Sequence, residues 1–394
     1  MPATVARAAI RILRPTQSRR KLSGGSVHHQ LPLELDPTDP ITLSNEFDRT
    51  QSIQDLRGQL EKAGFTDIEV IPVSLETIDT VVDRLEKEMK SKQQHGQELI
   101  VFQLCDGTEL DGYPGVSIIK ALEKYNIPFT GSDSAFYIIS SSKPVLKREL
   151  QAAQVPTSSF KEFANPPQME DLQDIIKEIT FPMIVKPSIS YASINISLKS
   201  VVHTPEEAFL PKEGGLHLDQ IDIETPTVFV EKFLTGREFT ALVVGDEDWG
   251  VRVYPVAERV FAPNLDKFAR LLSFDQYWDG YTLEGGNGKD DGFCKYEMAE
   301  MAWQKPLQEV AKNAYLALQG SGYGRVDIRT VDMDKCEPFV LEVNANCGLS
   351  FEKDSSSLAN ILIMSKIAAP GFVCDLLDHA LQRNKRLNNV CLHE

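Results

Sequence analysis

No stretch of the chain runs uninterrupted through the ~18 apolar residues that a membrane-crossing helix needs, so no membrane partner is expected. Positive charge is scarce: 41 Lys and Arg stand against 57 Asp and Glu, a formal charge of −16. A general nucleic-acid binder needs a basic face to displace counterions, so no nucleic-acid partner is expected either. Cysteine is sparse and unpatterned: Cys105, Cys294, Cys336, Cys347, Cys374 and Cys391 form no CxxC pair. That excludes a zinc ribbon and a thioredoxin-type site and reads as a reduced, intracellular, cytoplasmic protein. The few histidines show no motif spacing, and no Ser-His-Asp or Cys-His set offers a nucleophile. Neither a dinucleotide GxGxxG loop nor a P-loop occurs. What remains is a chain of 394 residues, 42% hydrophobic and 25% charged, long enough for two or three domains at roughly 150 residues each.

Before Glu34 the chain carries Arg7, Arg11, Arg14, Arg19, Arg20 and Lys21 and no acid. Such a start reads either as a mitochondrial targeting segment or as a first buried strand over residues 8–13. The strand is preferred, because Ala-Ala-Ile-Arg-Ile-Leu has a strand's apolar content and the following region needs one. That region alternates: helix over 47–63 stopping at Gly64, strand 68–73, helix 75–90, strand 99–104, helix 116–125, short strand and turn 127–132. Alternation of this kind predicts a parallel sheet with helices on its faces. Ligands of such sheets sit beyond the carboxyl ends of strands, so the glycine-rich loop 106–115 is expected to border a site. Farther on, a helix over 144–154, a second over 169–179, a strand 181–185 and a helix start at Thr204-Pro205-Glu206-Glu207 are expected. Residues 227–233, 238–244 and 251–256 read as antiparallel strands, with Thr235-Gly236 turning between the first two. A helix over 303–318 follows the glycine-rich stretch 283–293.

The most informative segment is Gly324-Arg325-Val326-Asp327-Ile328-Arg329 with Phe339-Val340-Leu341-Glu342-Val343-Asn344. Both halves alternate apolar and polar residues as half-buried strands do, and residues 332–336 are turn-like. A hairpin centred between Asp334 and Lys335 sets Asp327 opposite Glu342, with Arg325 and Asn344 on the same face. Two opposed carboxylates repel unless a cation lies between them. With the Asn344 carbonyl they form a hard-oxygen set suited to Mg²⁺.

Four blocks, in order, carry a resemblance. They are Lys143-Pro144 onward to Pro156, Phe181-Pro182-Met183-Ile184-Val185-Lys186-Pro187-Ser188, Val230-Glu231-Lys232-Phe233-Leu234-Thr235-Gly236-Arg237-Glu238-Phe239-Thr240, and the hairpin just described. Together they make the chain similar to the ATP-grasp superfamily, and within it to the D-alanine–D-alanine ligase-like family, from about residue 97 to 375. The resemblance implies an α/β (α+β multidomain) fold. An N-terminal Rossmann-like parallel-sheet domain (1–132) would precede a two-subdomain ATP-grasp fold, with a central subdomain and lid (133–230) and a C-terminal subdomain with the metal site (231–394). It further implies that Lys143 and Lys186 hold nucleotide phosphates. Glu231, Lys232 and Leu234 would bind adenine, and Glu238 the ribose. Asp327, Glu342 and Asn344 would ligate two Mg²⁺ ions, Mn²⁺ being the alternative. Arg325 would stabilise charge on the reacting carboxylate, Ser193 would act from the lid, and Ser355, Ser357 and Leu358 would hold the acceptor. The implied reaction is ATP-dependent joining of a small-molecule carboxylate and an amine, two amino acids in the family's manner, through an acyl phosphate; members are commonly homodimers. The alternative is a catalytically lapsed nucleotide-binding scaffold or regulator.

The substrate half departs from the family. The lid reads Ser190-Tyr191-Ala192-Ser193, the glycine pair Gly24-Gly25 lacks a following acid, and residues 274–281 lack the usual phosphate lysine, leaving Lys289 or Lys295 to substitute. The usual Pro-Gly-Met becomes Cys347-Gly348-Leu349.

Overall fold

The computed structural model describes residues 8–16, 40–107, 109, 112–163, 175–188, 196–204, 207, 228–272, 293–353 and 356–391, with the side chains of 40–49, 228 and 389–391 left aside. The first unit runs β1 (Ala9–Pro15), α1 (Pro40–Lys62), β2 (Ile68–Val73), α2 (Ile78–Gln94), β3 (Leu99–Gln103) and α3 (Gly115–Lys124). Its strands form a parallel sheet in the order β2-β1-β3, with Ile10 paired to Ile68 on one side and Ile100 on the other. Helices cover a parallel sheet, so its strands read as continuous apolar runs. Ile10, Ile12 and Leu13 are fully buried, and α2 lays Ile78, Val81, Val82, Leu85 and Met89 against this core. Residues 9–15 of the basic start are therefore the central strand, and the mitochondrial reading finds no support; Arg7, Arg19, Arg20 and Lys21 lie outside the described residues. Arg11 belongs to the fold: it is buried and ion-paired with Asp67 and Glu88.

Next come α4 (Ser134–Ser141), whose first turn is capped by the Asp133 carboxylate accepting from the Phe136 N–H, and α5 (Lys143–Ala152). They lead into a four-stranded antiparallel sheet of β4 (Phe160–Phe163), β5 (Met183–Pro187), β6 (Val201–Val202) and β7 (Val228–Lys232), ordered β4-β7-β5-β6. A six-stranded antiparallel sheet follows: β8 (Glu238–Asp246), β9 (Gly250–Val253), β10 (Ala257–Phe261), β11 (Cys294–Met298), β12 (Gly322–Thr330) and β13 (Pro338–Ala345). Its order is β11-β10-β8-β12-β13, with β9 also paired to β8. One face packs on α5 and on α6 (Met301–Ala317) through Phe239, Ala241, Val326, Val340 and Val343. The end of the other face packs Leu242, Val244 and Tyr323 with α7 (Ser357–Met364), α8 (Ala369–Cys391) and α1. Among the described residues, no single helix is long and apolar enough to cross a membrane.

Two expectations are corrected. Residues 227–233 and 238–244 are strands, but not partners: β7 and β8 lie in different sheets. Alternation specifies a strand and its faces, not its neighbour. The chain changes sheets within five residues, the Phe233 N–H donating to Pro182 O (3.0 Å) and the Gly236 N–H to Thr330 O (3.2 Å). Gly236 is required there, because a Cβ would lie 2.4 Å from the carbonyl oxygens of Thr330 and Asp332. The sheet also gains β10 and β11, which alternation did not flag. The expected helix 169–179 and the glycine-rich stretch 283–293 fall largely outside the described residues.

Candidate active site

The hairpin β12–β13 sets Arg325 against Asn344, Val326 against Val343 and Asp327 against Glu342, as expected. Its outer half is displaced by one: Ile328 faces Val340 and Arg329 faces Phe339. The turn is thus centred on Asp334 and closed by the Asp332 carboxylate, which accepts from the N–H groups of Asp334 and Lys335 (2.9 and 2.8 Å). Leu341 is the extra residue of a bulge. Continued in its outer register, the ladder would set Asp327 opposite Leu341 and send Glu342 to the helix-covered face. The bulge re-aims Glu342 and Asn344 to join Asp327.

In this arrangement Arg325 forks onto Asp327, with Nη2 2.9 Å and Nε 3.0 Å from the carboxylate oxygens. The Asn344 amide nitrogen donates to both Asp327 and Glu342 (3.1 Å each). Burial and the facing Glu342 push the Asp327 carboxyl up, against the pull of Arg325. Burial would raise Glu342 too, but Lys143, Lys186 and Arg325 outweigh it and hold it below its ordinary value. One row along, the same face carries Arg329, Glu238 and Arg259, aligned across β12, β8 and β10. Glu238 is ion-paired with Arg259, and with Arg329 at 3.6 Å. Tyr296 accepts from Arg259 (2.8 Å).

The four-stranded sheet contributes the opposite charge. Lys186 lies one residue before the end of β5, and Glu231 lies on β7, paired directly to Ile184. The Glu231 carboxylate is 1% exposed and receives Lys186 Nζ on one oxygen (2.6 Å), with Lys147 Nζ (2.6 Å) and Ser158 Oγ (2.5 Å) on the other. Burial opposes its ionisation, yet the two lysines hold it far below the carboxylate range. Burial likewise lowers Lys147 and Lys143, whereas Glu231 keeps Lys186 raised. Lys147 Nζ also reaches Val340 O (3.4 Å), two residues before Glu342, and Glu342 acts electrostatically on Lys143, Lys147 and Lys186, so the lysine cluster faces the acid row. The Lys143 N–H donates to Ser188 O (2.9 Å), tying the start of α5 to the end of β5.

The remaining expected residues divide. Lys232 turns its ammonium away, onto Thr180 O, Thr180 Oγ1 and Phe181 O (3.0, 2.8 and 2.8 Å), so only its main chain is available beside Leu234. Ser357 and Leu358 open α7 behind the Ser356 cap, whose Oγ accepts from the Ala359 N–H. The Leu358 side chain is buried in the core, which leaves its backbone for any ligand. Ser193 and Ser355 lie outside the described residues, as do Tyr191, Lys289, Gly24, Gly25 and residues 274–281. Lys295 does not face the site: Tyr296 shares the Arg259 face, so Lys295 points oppositely and pairs with Glu297. Cys347 is pushed up to about 12 by burial, Arg325 opposing, and stays a protonated thiol rather than a nucleophile.

The sequence reading missed Lys147, Arg259 and Arg329. The helical interval from Lys143 to Lys147, which puts both on one side of α5, was a usable signal for the first. No local pattern marks the two arginines. No group of three or more His, Cys, Asp or Glu side chains able to hold a metal occurs among the described residues. A divalent ion at the acid row would therefore take two carboxylates and, after a turn of the amide, the Asn344 oxygen. That set fits Mg²⁺, which fills its remaining positions with water and phosphate oxygens.

The family model described as D-ala D-ala ligase C-terminus matches residues 149–362. The chain is 26% identical over 264 residues to a D-alanine–D-alanine ligase of Desulfotalea psychrophila, covering 67% of this chain and 73% of that one. It is 27% identical over 242 residues to one of Nitrosococcus oceani, covering 61% and 65%; the match thus spans slightly less than two thirds of this second relative. In structure it is similar to a D-alanine–D-alanine ligase of Bacillus anthracis complexed with ATP, with a TM-score of 0.60 at 16% identity over 96% of this chain and 99% of that one. At that identity the likeness shows a shared fold.

Proposed function

This chain belongs to the D-ala D-ala ligase C-terminus family, and from that premise we propose that it is an ATP-dependent carboxylate–amine ligase. The observation that carries the proposal is the facing of two charge groups: Lys143, Lys147 and Lys186 around a single buried acid, and Asp327 with Glu342 across from them. A surplus of ammonium groups suits a polyphosphate, and opposed carboxylates suit the cation that accompanies one.

Lys143 and Lys186 bind the phosphates. The main chain at Lys232 and Leu234 reads the adenine edge, and the Leu234 N–H makes no hydrogen bond among the described residues. Glu238, ion-paired with Arg259 and Arg329, accepts from the ribose hydroxyls. Glu231 takes a supporting role beneath the base, since its oxygens are already engaged by two lysines and a serine. Asp327, Glu342 and Asn344 would hold one or two Mg²⁺ or Mn²⁺ ions, which when bound neutralise phosphate charge during transfer. The γ-phosphoryl group passes to the substrate carboxylate, giving an acyl phosphate and ADP. The amine attacks that carbonyl, phosphate leaves and an amide remains. Arg325, released from Asp327, stabilises the negative charge that develops on the reacting carboxylate and on the tetrahedral intermediate. The N–H groups of Ser357 and Leu358 at the start of α7, with Ser355, receive the acceptor's carboxylate. Ser193, outside the described residues, would serve to keep water from the acyl phosphate. The substrates are amino acids, used in the cytoplasm. Nothing in the structure favours a lapsed scaffold, because every described phosphate, metal and charge-stabilising residue of the reading is present.

The test is phosphate release from ATP with a panel of amino acids offered in pairs. Release that requires two amino acids, with an amide product found by mass spectrometry, is expected. Nucleotide binding without turnover on any pair would overturn the proposal.

A further inference from the structure

Glu342, Asp327 and Thr240 lie directly opposite one another on β13, β12 and β8, so the three side chains share one face of the sheet. Ala257 continues the row on β10 and offers no polar atom. Thr240 is 2% exposed, and its Oγ1 has no hydrogen-bond partner among the described residues. Its neighbours on the same face of β8 do not supply one: Glu238 is committed to Arg259 and Arg329, and Leu242 is apolar. Beside it, the Asp327 oxygens are taken by Arg325 and by the Asn344 amide nitrogen. A buried hydroxyl without a partner is unfavourable, and valine would fill the same space without that penalty.

We infer that Thr240 is a positioning residue of the cation site, donating its hydroxyl to the Asp327 carboxylate when a divalent cation is bound and idle when none is. This rests on the reading of Asp327 as a cation ligand. A cation that draws Asp327 and Glu342 together displaces the Asn344 N–H groups from between them, and Arg325 turns to substrate. Asp327 then keeps an oxygen lone pair, and Thr240, directly opposite it in the same row, is placed to satisfy it. A hydrogen bond to a ligating carboxylate fixes its orientation, and losing one typically weakens metal binding about tenfold or more.

The experiment uses the full chain with a non-hydrolysable ATP analogue, Mn²⁺ being titrated and free ion read by electron paramagnetic resonance. Thr240→Val should weaken Mn²⁺ binding about tenfold, while Thr240→Ser, which keeps the donor, stays within about twofold of the parent. Without metal, Thr240→Val should raise the melting temperature, because an unsatisfied buried donor is removed. Opposite signs in the two measurements are the expected signature. Unchanged Mn²⁺ affinity in Thr240→Val overturns the inference, and so does a lowered melting temperature without metal, which would mean the hydroxyl already had a partner. Asp327→Ala separates the two levels. If it loses Mn²⁺ while Thr240→Val does not, the role of Thr240 alone fails. If it keeps parental affinity, the reading of the acid row fails with it.

Discussion

At the four-stranded sheet, two lysines clasp one carboxylate: Glu231 of β7 sits between Lys147 of α5 and Lys186 of β5, all three charges well enclosed. In the six-stranded sheet two carboxylates face each other, and an arginine and an amide fill in around them: Asp327 and Glu342 with Arg325 and Asn344. The first arrangement satisfies its central charge for good. The second holds like charges together with partners that can be exchanged. Removing the centre of the first leaves two buried ammonium groups facing each other, a cost borne by folding. Removing an acid from the second relieves repulsion and takes away a proposed cation ligand, a cost expected in activity rather than in folding.

The sharpest break of this comparison comes from the acids. Asp327→Ala and Glu342→Ala should each lower amino-acid-dependent phosphate release by on the order of 10³-fold, with melting temperatures close to the parent's. Variants that unfold instead would show that the acid row is structural. Next in size is Glu231→Ala, expected to cost about 3–5 kcal/mol in urea unfolding, since it strands buried charge. Adding Lys147→Met should recover part of that loss, and strict additivity of the two would mean they do not form a pair.

Acidification sharpens the contrast further. The Glu231 carboxyl lies far below its ordinary value of 4.5 because Lys147 and Lys186 outweigh burial. Below pH 4.5 the unfolded chain takes up a proton there that the folded chain refuses. The stability this group contributes is therefore complete above that pH and is lost as pH falls toward the lowered value, by at most about 1.4 kcal/mol per pH unit. Glu231→Gln should flatten that part of the pH profile; an unchanged slope would place the acid-sensitive group elsewhere, Asp246 beside His379 and Arg386 being the next candidate. The smallest effect belongs to Lys232→Ala. Among the described residues its ammonium bonds Thr180 and Phe181 alone, so a loss of about 1 kcal/mol and an unchanged nucleotide affinity are expected. A large loss of affinity, followed by fluorescence titration, would mean that the side chain rather than the main chain meets the base.

Much of the first unit was legible in the chain. Residues 68–73 form β2 with the expected bounds, and the apolar spacing of α2 marks the residues it buries. The opposition of Asp327 and Glu342 was legible as well, though by a route the structure amends. A symmetric turn sets them opposite; the actual turn is one residue off, and the bulge at Leu341 restores the pair. Val340 and Val343 are both buried although three apart, a trace of that bulge visible in the spacing of valines but readable only with hindsight. The lysine cluster was half legible. Lys186 at the end of an apolar strand stood out, while Lys147 looked like any helical lysine, and Glu231 was read as open to a base when it is enclosed.

The sequence by itself determined periodicity, and with it which residues along one strand or helix share a face, because side-chain direction follows from the covalent geometry of the local backbone. That was enough to align Arg325 with Asp327 and Glu342 with Asn344. Only the tertiary structure decided that β7 and β8 part into different sheets, that Lys147 and Lys186 meet at Glu231, and that Thr240 falls in line with the two acids. Each of these depends on which distant segment becomes a strand's neighbour, and that choice is made by the packing of whole sheets and helices rather than by any local pattern.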